Sequence, residues 1–168
     1  LKRQLHNFYL KFGKKPYKII LTSPKDAKVV AEDYVADGNN PAVIFFDITG
    51  TLNVPDILRL VAEMDYIFVP ITTETSEMAS SISFANFVTN EMVTTGNTHI
   101  KELRLVWNKT NTREKNGLCE IIDGYMAKYG LNSLDTVLMK SNKFEKDGRE
   151  EGNGGVFRST MLPPDKRM

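Results

Sequence analysis

The feature that most constrains the fold is residues 41–51, where an unbroken apolar run, residues 43–46, ends at Asp47 and is followed by small, turn-forming residues. Continuous apolar runs of this length are typical of strands buried on both faces, as in the middle of a parallel sheet. Ligands of open α/β sheets gather outside the carboxyl ends of such strands. A carboxylate at that point can hold a magnesium ion linked to a phosphate. The stretch therefore predicts a buried strand that ends in a candidate metal-holding aspartate.

Strand patterns and helix patterns alternate along the rest of the chain. The predicted strands are residues 17–22, 43–47, 65–71, 100–107 and 136–139. The predicted helices are residues 1–12, 24–35, 55–64, 75–93 and 113–129. Strict alternation with short connections predicts an α/β fold with a mainly parallel sheet and helices on both faces, which is a three-layer α/β/α domain.

Length, charge and cysteine content limit the number of domains, the partners and the cellular setting that we expect. A chain of 168 residues is expected to form one domain, residues 1–168. The formal net charge of +1 gives no bulk electrostatic argument for nucleic acid or a membrane surface. The single cysteine, Cys119, cannot form an internal disulfide and is typical of a reducing, cytoplasmic setting. No apolar run reaches the roughly 18–20 residues of a spanning helix, so we expect no membrane span.

The two ends of the sequence are unusual. The chain begins at Leu1 rather than at methionine, and it ends on a charged tetrapeptide directly after Pro163 and Pro164. We interpret the chain as a fragment of a longer protein.

Several motifs that would identify a catalytic site are missing from the sequence. It contains no Gly-x-x-x-x-Gly-Lys-Ser/Thr phosphate-binding loop, no Gly-x-Gly-x-x-Gly fingerprint and no Gly-x-Ser-x-Gly elbow. One cysteine and two distant histidines, His6 and His99, cannot build a zinc site. We therefore assign no catalytic residue in this chain alone.

Asp47 is the best single candidate for a functional residue. Its position alone fits equally well a structural aspartate that caps the turn after a strand. Its context favours function, because Gly50 would let the backbone approach a phosphate closely. Thr49 or Thr51 could then bind that phosphate through a hydroxyl or an amide.

Three segments together resemble the ParA/MinD-like P-loop ATPases with a deviant Walker A motif. Residues 43–51, Val-Ile-Phe-Phe-Asp-Ile-Thr-Gly-Thr, look like the Walker B strand and switch II of that family. Residues 65–71, Asp-Tyr-Ile-Phe-Val-Pro-Ile, look like the strand that follows. Residues 156–167 are similar to the tail of the ParA-like proteins of bacterial conjugative transposons. The resemblance covers the chain from about residue 17 onward.

The resemblance implies a P-loop NTPase-like fold and an ATP- and magnesium-dependent homodimer. Such a protein moves or positions DNA in partition or conjugative transfer, together with a partner protein and non-specific DNA. The resemblance also implies an upstream strand and phosphate-binding loop, neither of which this sequence contains. By match, Asp47 would hold magnesium through water, and Gly50 would lie in switch II near the γ-phosphate. This chain has Thr49 where the family usually has proline.

Asn108 follows the strand that ends at Trp107. From the residues alone, Asn108 is a loop residue at a strand end, and Trp107 is either a core residue or a lid, with the core favoured. By the resemblance, Asn108 matches the asparagine that reads the adenine base, and residues 139–141 would lie near the adenine.

The amides and lysine of a phosphate-binding loop bind the triphosphate of the nucleotide. Without them, a Walker B aspartate has no bound phosphate whose magnesium it could hold. We therefore expect ATP and magnesium to bind the intact protein, and we expect neither to be bound tightly by this chain alone. The alternative function is a non-catalytic interaction domain of a mobile element.

A phosphoacceptor receiver domain is a further alternative. Asp47, Thr72 or Thr73, and Lys109 follow three successive predicted strands, which is the order of aspartate, hydroxyl and lysine that such a domain requires. A receiver also needs an acidic pair after its first strand, and residues 17–23 contain none. The receiver is therefore the weaker alternative.

Overall fold

A computed structural model describes residues 18–48, 54–111 and 115–140. The chain divides into two compact units, and the first of these, residues 1–21 and 141–168, is described only at residues 18–21. All elements given below belong to the second unit, Thr22–Lys140. The expectation of one domain over residues 1–168 stays a prediction. The predicted first helix, Thr49, Gly50, Thr51 and the tail all lie outside the described residues.

A parallel three-stranded sheet in the order β1–β2–β3 organises this unit. Its strands are β1 (Tyr66–Ile71), β2 (Glu102–Thr110) and β3 (Leu138–Met139). The register of β1 and β2 runs from Tyr66 opposite Glu102 to Ile71 opposite Trp107. The strands predicted from residues 65–71, 100–107 and 136–139 are therefore confirmed, and β2 extends three residues further than expected. The α/β class and the parallel sheet are confirmed with them.

Four α-helices and two π-helical segments are found in the described ranges. They are α1 (Ala27–Ala36), α2 (Pro55–Ala62), α3 (Thr75–Phe87) with the π-helical segment Val88–Val93 directly after it, and α4 (Glu120–Ala127) with the π-helical segment Lys115–Cys119 directly before it. Pro55 lies at the first position of α2, where its missing N–H costs no helical hydrogen bond. None of the described helices is long and apolar enough to cross a membrane.

The start of α1 differs from the prediction by three residues. The helix was predicted from residue 24, but it begins at Ala27 with Asp26 as the preceding residue. The backbone N–H of Asp26 donates to the Ser23 hydroxyl at 3.2 Å, which closes a turn before the helix rather than its first turn.

The helices that pack on the sheet lie on one of its faces. The side chains that β1 and β2 contribute to the core are odd-numbered in both strands: Ile67, Val69, Ile71, Leu103, Leu105 and Trp107. Ala85 of α3 and Met126 of α4 pack against them. The even-numbered residues Tyr66 and Phe68 point to the other face and are exposed.

The strand order explains why the helices share one face. Right-handed crossovers that advance in one direction across a sheet place their helices on the same side. Both α3, between β1 and β2, and α4, between β2 and β3, follow such crossovers. The predicted three-layer arrangement needs helices on the second face, and it stays a prediction.

Two predicted strands are not strands in the structure. Residues 18–22 and residues 43–47 have irregular backbone. Val43 is 65% exposed and Phe45 is 84% exposed, so the prediction of a buried strand ending at Asp47 is wrong. A strand is stabilised by a neighbouring ladder, and in the described ranges the sheet contains only β1, β2 and β3. The apolar run therefore has strand-like composition and no strand partner among the described residues.

Ile48, the residue after Asp47, is with Phe46 one of two half-buried residues at the end of this exposed segment. Its side chain is half-buried and packs against a small cluster formed by Ile57, Val61 and Val88. Ile67 of β1 packs against the same cluster. The cluster therefore anchors the carboxyl end of the apolar run close to β1.

Candidate functional site

The backbone departs from regular strand geometry at the carboxyl end of β2. Asn108 pairs with Leu138 and Thr110 pairs with Met139, so Lys109 is an extra residue opposite the short strand β3. This arrangement is a β-bulge, a feature that is common beside functional sites because it re-aims side chains at the end of a strand. Asn108, the residue predicted to read an adenine, is half-buried directly before the bulge.

Lys109 has a left-handed backbone with φ of 55°, the one such non-glycine residue among those described. A β-carbon in this conformation crowds the following carbonyl oxygen and costs about 1–2 kcal/mol. Such strained residues persist only where the surrounding structure fixes them, and they cluster at binding sites. The side chain of Lys109 is exposed at this edge of the sheet.

Two contacts of Thr110 hold the bulge in place. Thr110 is 1% exposed, and its hydroxyl donates to the sulfur of Met139 at 3.7 Å. The backbone N–H of Lys140 donates to the carbonyl of Thr110 at 2.7 Å. The residues on both sides of Lys109 are therefore fixed, because Asn108 and Thr110 each pair with β3.

The residue before Asn108 is fixed from the helical side. Trp107 is 1% exposed, and its indole N–H donates to Oδ1 of Asp123 on α4 at 2.9 Å. Trp107 is thus a core residue, as favoured from the sequence. Cys119, at the end of the π-helical segment before α4, is buried in the same cluster. Segments of π-helix are rare and are frequently found at functional sites.

The carboxyl end of β1 carries hydroxyl and carboxyl groups that bind one another. The Thr72 hydroxyl donates to Oε2 of Glu77 at 2.8 Å. The Glu74 carboxylate caps α3 by accepting from the backbone N–H of Glu77 at 2.8 Å and from the Ser76 hydroxyl at 2.6 Å. These donors, with the Ser76 hydroxyl as the largest cause, lower the pKa of Glu74 from its ordinary value.

Thr72 and Asn108 follow a pair of residues that are in register, Ile71 and Trp107. Both therefore lie at the same edge of the sheet, where ligands of parallel α/β sheets bind. For a receiver domain, this edge holds the hydroxyl and the lysine of the required set. The third member, Asp47, does not end a strand of this sheet.

Asp47 is exposed in the irregular segment before Ile48. Its carboxylate has no hydrogen bond or ion pair with another described residue. The structure therefore brings Asn108, Lys109 and Thr72 to one edge, and it does not bring Asp47 to the end of a strand. Gly50 lies outside the described residues.

The candidate residues offer few groups that could bind magnesium. In the described ranges, no group of three His, Cys, Asp or Glu side chains is placed to hold a metal on its own. Magnesium bound with a nucleotide needs only one or two carboxylates, since phosphates and water supply the other ligands. The exposed carboxylate of Asp47 is a ligand of the type that such a site uses, and no described contact joins it to the edge that carries Asn108.

A separate cleft of about 330 Å³ lies between α3 and α4. It is mainly apolar and is lined by Ala79, Ile82, Ser83, Asn86, Tyr125, Met126, Tyr129 and Leu131. The hydroxyls of Tyr125 and Tyr129 are 3.1 Å apart, and this hydrogen bond raises the pKa of Tyr129. None of the predicted site residues lines this cleft.

Sequence reasoning placed Asn108 at a strand end and missed the bulge that follows it. The bulge requires β3 to pair with two residues of β2 that are not adjacent, which is a contact between distant parts of the chain. The sequence reasoning also missed the capping role of Glu74, although a polar residue directly before a helix is a recognisable signal.

Comparison with protein-family models, with curated proteins and with solved structures finds no match to this chain.

Proposed function

We propose that this chain is part of a ParA-like ATPase of a conjugative transposon or a DNA partition system. In this proposal the chain contributes the Walker B aspartate and the adenine side of the nucleotide site, and the phosphate-binding loop comes from outside these 168 residues. The intact protein would bind ATP and magnesium, act as a homodimer and contact non-specific DNA and a partner protein. The proposed location is the cytoplasm.

One observation carries this proposal, the bulge at Asn108–Thr110. It lies at the carboxyl end of a parallel strand, which is the edge where nucleotides bind in open α/β sheets. The pairing of Asn108 with β3 and the fixed positions of Trp107 and Thr110 hold the backbone of Asn108 in a defined place. A side-chain amide can donate and accept at once, which suits the pattern of one donor and one acceptor on an adenine edge.

The proposed chemistry of Asp47 is more limited. When bound, magnesium supplies positive charge that neutralises the phosphates of ATP. Asp47 would orient a water of that ion, and Asn108 would orient the base. Without a phosphate-binding loop, Asp47 lacks the partner groups that make this role productive.

The proposal is tested by base-selective binding near Asn108. Trp107 is the only tryptophan of the chain and directly precedes Asn108, so its fluorescence reports on this site. We expect adenosine and ATP to change that fluorescence with half-saturation at about millimolar concentration, and guanosine to give no saturable change. Micromolar affinity for Mg-ATP would contradict the expected dependence on an external phosphate-binding loop.

The matched variants are Asn108→Ala and Asn97→Ala. Asn97 is an exposed residue of the loop before β2, at the opposite end of this strand from Asn108, so its variant controls for the loss of an amide. Loss of the adenosine response in Asn108→Ala alone supports the proposal. An equal response in both variants would exclude Asn108 as the residue that reads the base.

The role of Asp47 needs the longer protein. If the upstream reading frame encodes a Lys-Gly-Gly-x-Gly-Lys-Thr/Ser motif, Asp47→Ala in that protein should abolish ATP hydrolysis and leave the circular dichroism spectrum unchanged. Hydrolysis at the native rate would exclude the Walker B role.

A second candidate, a non-catalytic interaction domain, is favoured by the exposed apolar run. Val43 and Phe45 offer apolar surface of the kind that partners bury. The two candidates differ in the adenosine titration, because an interaction domain gives no base-selective response.

A further inference from the structure

The cleft between α3 and α4 has a buried apolar floor and exposed walls. Met126 and Leu131 form the floor, and both belong to the main core cluster, with 1% and 2% of their surface exposed. Ala79 and Ser83, about one turn apart on α3, form one wall. Because both of these side chains are small, the space between the helices stays open down to the floor. The cleft is therefore a recess in the helical layer that reaches the core.

Two tyrosines form the opposite wall. They are Tyr125 of α4 and Tyr129, which follows the end of that helix. Their ring centroids lie 5.3 Å apart with the planes tilted by 52°, and their hydroxyls hydrogen-bond at 3.1 Å. Aromatic rings attract other rings in offset-stacked or edge-to-face geometry. This wall therefore favours a planar aromatic ligand.

The polar groups of the cleft favour an uncharged ligand that accepts a hydrogen bond. Each described residue that lines the cleft is uncharged, so a charged ligand would lose water without gaining a counter-charge. In the tyrosine pair one hydroxyl donates to the other, which leaves one hydroxyl proton for a ligand. On the α3 side, Oδ1 of Asn86 already accepts from the amide of Asn90 at 2.7 Å, so Asn86 offers its own N–H groups. The lining therefore offers mainly donors.

The volume of the cleft limits the size of the ligand. A closed apolar cavity of about 150 Å³ takes one benzene ring. The cleft has about 330 Å³, close to the lower limit of about 300 Å³ for ligand pockets of proteins. It therefore has room for about two fused rings.

We propose that this cleft binds a small, uncharged, planar aromatic molecule of about two fused rings, with a hydrogen-bond acceptor that faces the hydroxyls of Tyr125 and Tyr129. The rings of the ligand cover Met126 and Leu131, and burial of apolar surface there supplies most of the affinity. The cleft is separate from the edge of the sheet that carries Asn108. This inference goes beyond the proposed ATPase and does not rest on it.

The probe for this site is quinoline, an uncharged two-ring molecule whose ring nitrogen accepts a hydrogen bond and cannot donate one. The full 168-residue chain, with isotopically labelled methionine methyl groups, is titrated and followed by NMR. Met126→Leu and Met139→Leu assign two of the methyl signals. We expect the Met126 signal to shift with half-saturation at about 0.1–1 mM quinoline, and the Met139 signal of β3 to stay unchanged.

Two analogues of similar shape test the chemistry of the ligand. Naphthalene lacks the acceptor, so within its solubility it should bind at least about threefold more weakly than quinoline. N-methylquinolinium has a permanent charge and no acceptor, so it should give no saturable shift of the Met126 signal. Equal affinities for quinoline and naphthalene would overturn the assigned acceptor. A saturable response to N-methylquinolinium would overturn the preference for an uncharged ligand.

Ser83→Phe and Ser80→Phe are matched variants that locate the site. Both serines are exposed on α3, and of the two Ser83 lines the cleft. A phenylalanine at residue 83 fills the recess, so the affinity for quinoline should fall at least about tenfold. Ser80→Phe should bind quinoline as the natural sequence does. Circular dichroism checks that both variants keep the fold.

Tyr125→Phe/Tyr129→Phe removes both hydroxyls and keeps both rings. The affinity for quinoline should fall by about threefold or more, and the affinity for naphthalene should be unchanged. An unchanged affinity for quinoline would mean that the tyrosine pair is not its donor.

Three results would overturn the site itself. They are a Met126 signal that quinoline does not shift in a saturable way, an undiminished response in Ser83→Phe, and a shift of the Met139 signal in place of the Met126 signal. The last of these would place the probe at the edge that carries Asn108.

Discussion

The strand β2 and the apolar run at residues 43–46 both carry large apolar side chains, and these lie in opposite environments. Leu105 and Trp107 of β2 are buried between strands and helices, whereas Val43 and Phe45 of the run are exposed. Both segments contain residues that favour strands, Val106 and Trp107 in β2 and all four residues of the run. The difference is that β2 has a strand on each side, β1 and β3, and the run has no described strand beside it.

This comparison shows that apolar composition selects strand-forming segments but does not place them. A strand contributes to the core only after its backbone groups are paired, since unpaired groups would lose their hydrogen bonds to water on burial. The following predictions test how far the two regions differ, and they run from the largest expected effect to the smallest.

The largest contrast is expected between Leu105→Ala and Phe45→Ala. Leu105 is fully buried in the main cluster, so its truncation should lower the free energy of unfolding by about 2–5 kcal/mol through lost burial and a cavity. Phe45→Ala should change it by less than about 0.5 kcal/mol at concentrations where the chain is monomeric. Urea denaturation followed by circular dichroism measures both values. Equal effects would mean that the run is buried in solution.

Asp123→Ala tests the hydrogen bond that joins β2 to α4. The variant leaves the indole N–H of Trp107 without its acceptor, which should cost about 1–3 kcal/mol of unfolding free energy. Asp135→Ala, at an exposed position before β3, is the matched control and should have little effect. A shift in Trp107 emission in the first variant alone would confirm the contact, and similar denaturation curves for both variants would contradict it.

Lys109→Gly tests the strain at the bulge. Glycine adopts a φ of 55° without strain, which stabilises the folded chain by about 1–2 kcal/mol. Glycine also has more conformational entropy in the unfolded chain, which destabilises the folded chain by about 0.5–1 kcal/mol. The net effect should be a stabilisation of about 0.5–1 kcal/mol. Lys109→Val should destabilise the chain, because a β-branched residue fits this backbone poorly. If glycine destabilised more than valine, Lys109 would not have a left-handed backbone in solution.

The smallest effect concerns the cap of α3 and depends on pH. The Glu74 carboxylate has a lowered pKa in the folded chain, so its contribution to stability is present above the ordinary glutamate pKa of about 4.3. That contribution is lost as the pH falls through the lower folded value. We therefore expect Glu74→Ala to destabilise the chain at pH 7 and to lose that effect at the acid end of a pH series.

Glu74→Gln is the control for this measurement. Glutamine keeps an acceptor for the Glu77 N–H but lacks the charge, so it should retain part of the cap at every pH. A difference between the natural chain and Glu74→Ala that does not change from pH 7 to pH 3 would contradict the role of the ionised carboxylate.

The sequence predicts much of this fold where the signals are local. Pro55 marks the first turn of α2, and Gly130, with a φ of 74°, ends the helical region after α4. The apolar patterns of β1 and β2 are recognised because both strands are buried on the face that the helices cover. Each of these features depends on residues that are close in sequence.

The features that could not be predicted depend on distant contacts or on unusual hydrogen bonding. The bulge at Lys109 requires β3, and residues 43–45 are exposed because no described strand lies beside them, which composition does not reveal. The π-helical segments Val88–Val93 and Lys115–Cys119 have the same apolar spacing as α-helix over one or two turns, so they were predicted as parts of continuous helices. Asn108 was placed correctly at a strand end, but the strained residue beside it was not foreseen.

The burial of Cys119 has a practical consequence. It is the only thiol of the chain, and it lies at the junction between the π-helical segment and α4, with 2% of its surface exposed. A thiol reagent can react with it only when this part of the chain opens, so the rate of labelling under native conditions measures that opening. The rate at which Cys119 is labelled in the natural sequence thus reports how often the segment that follows β2 opens.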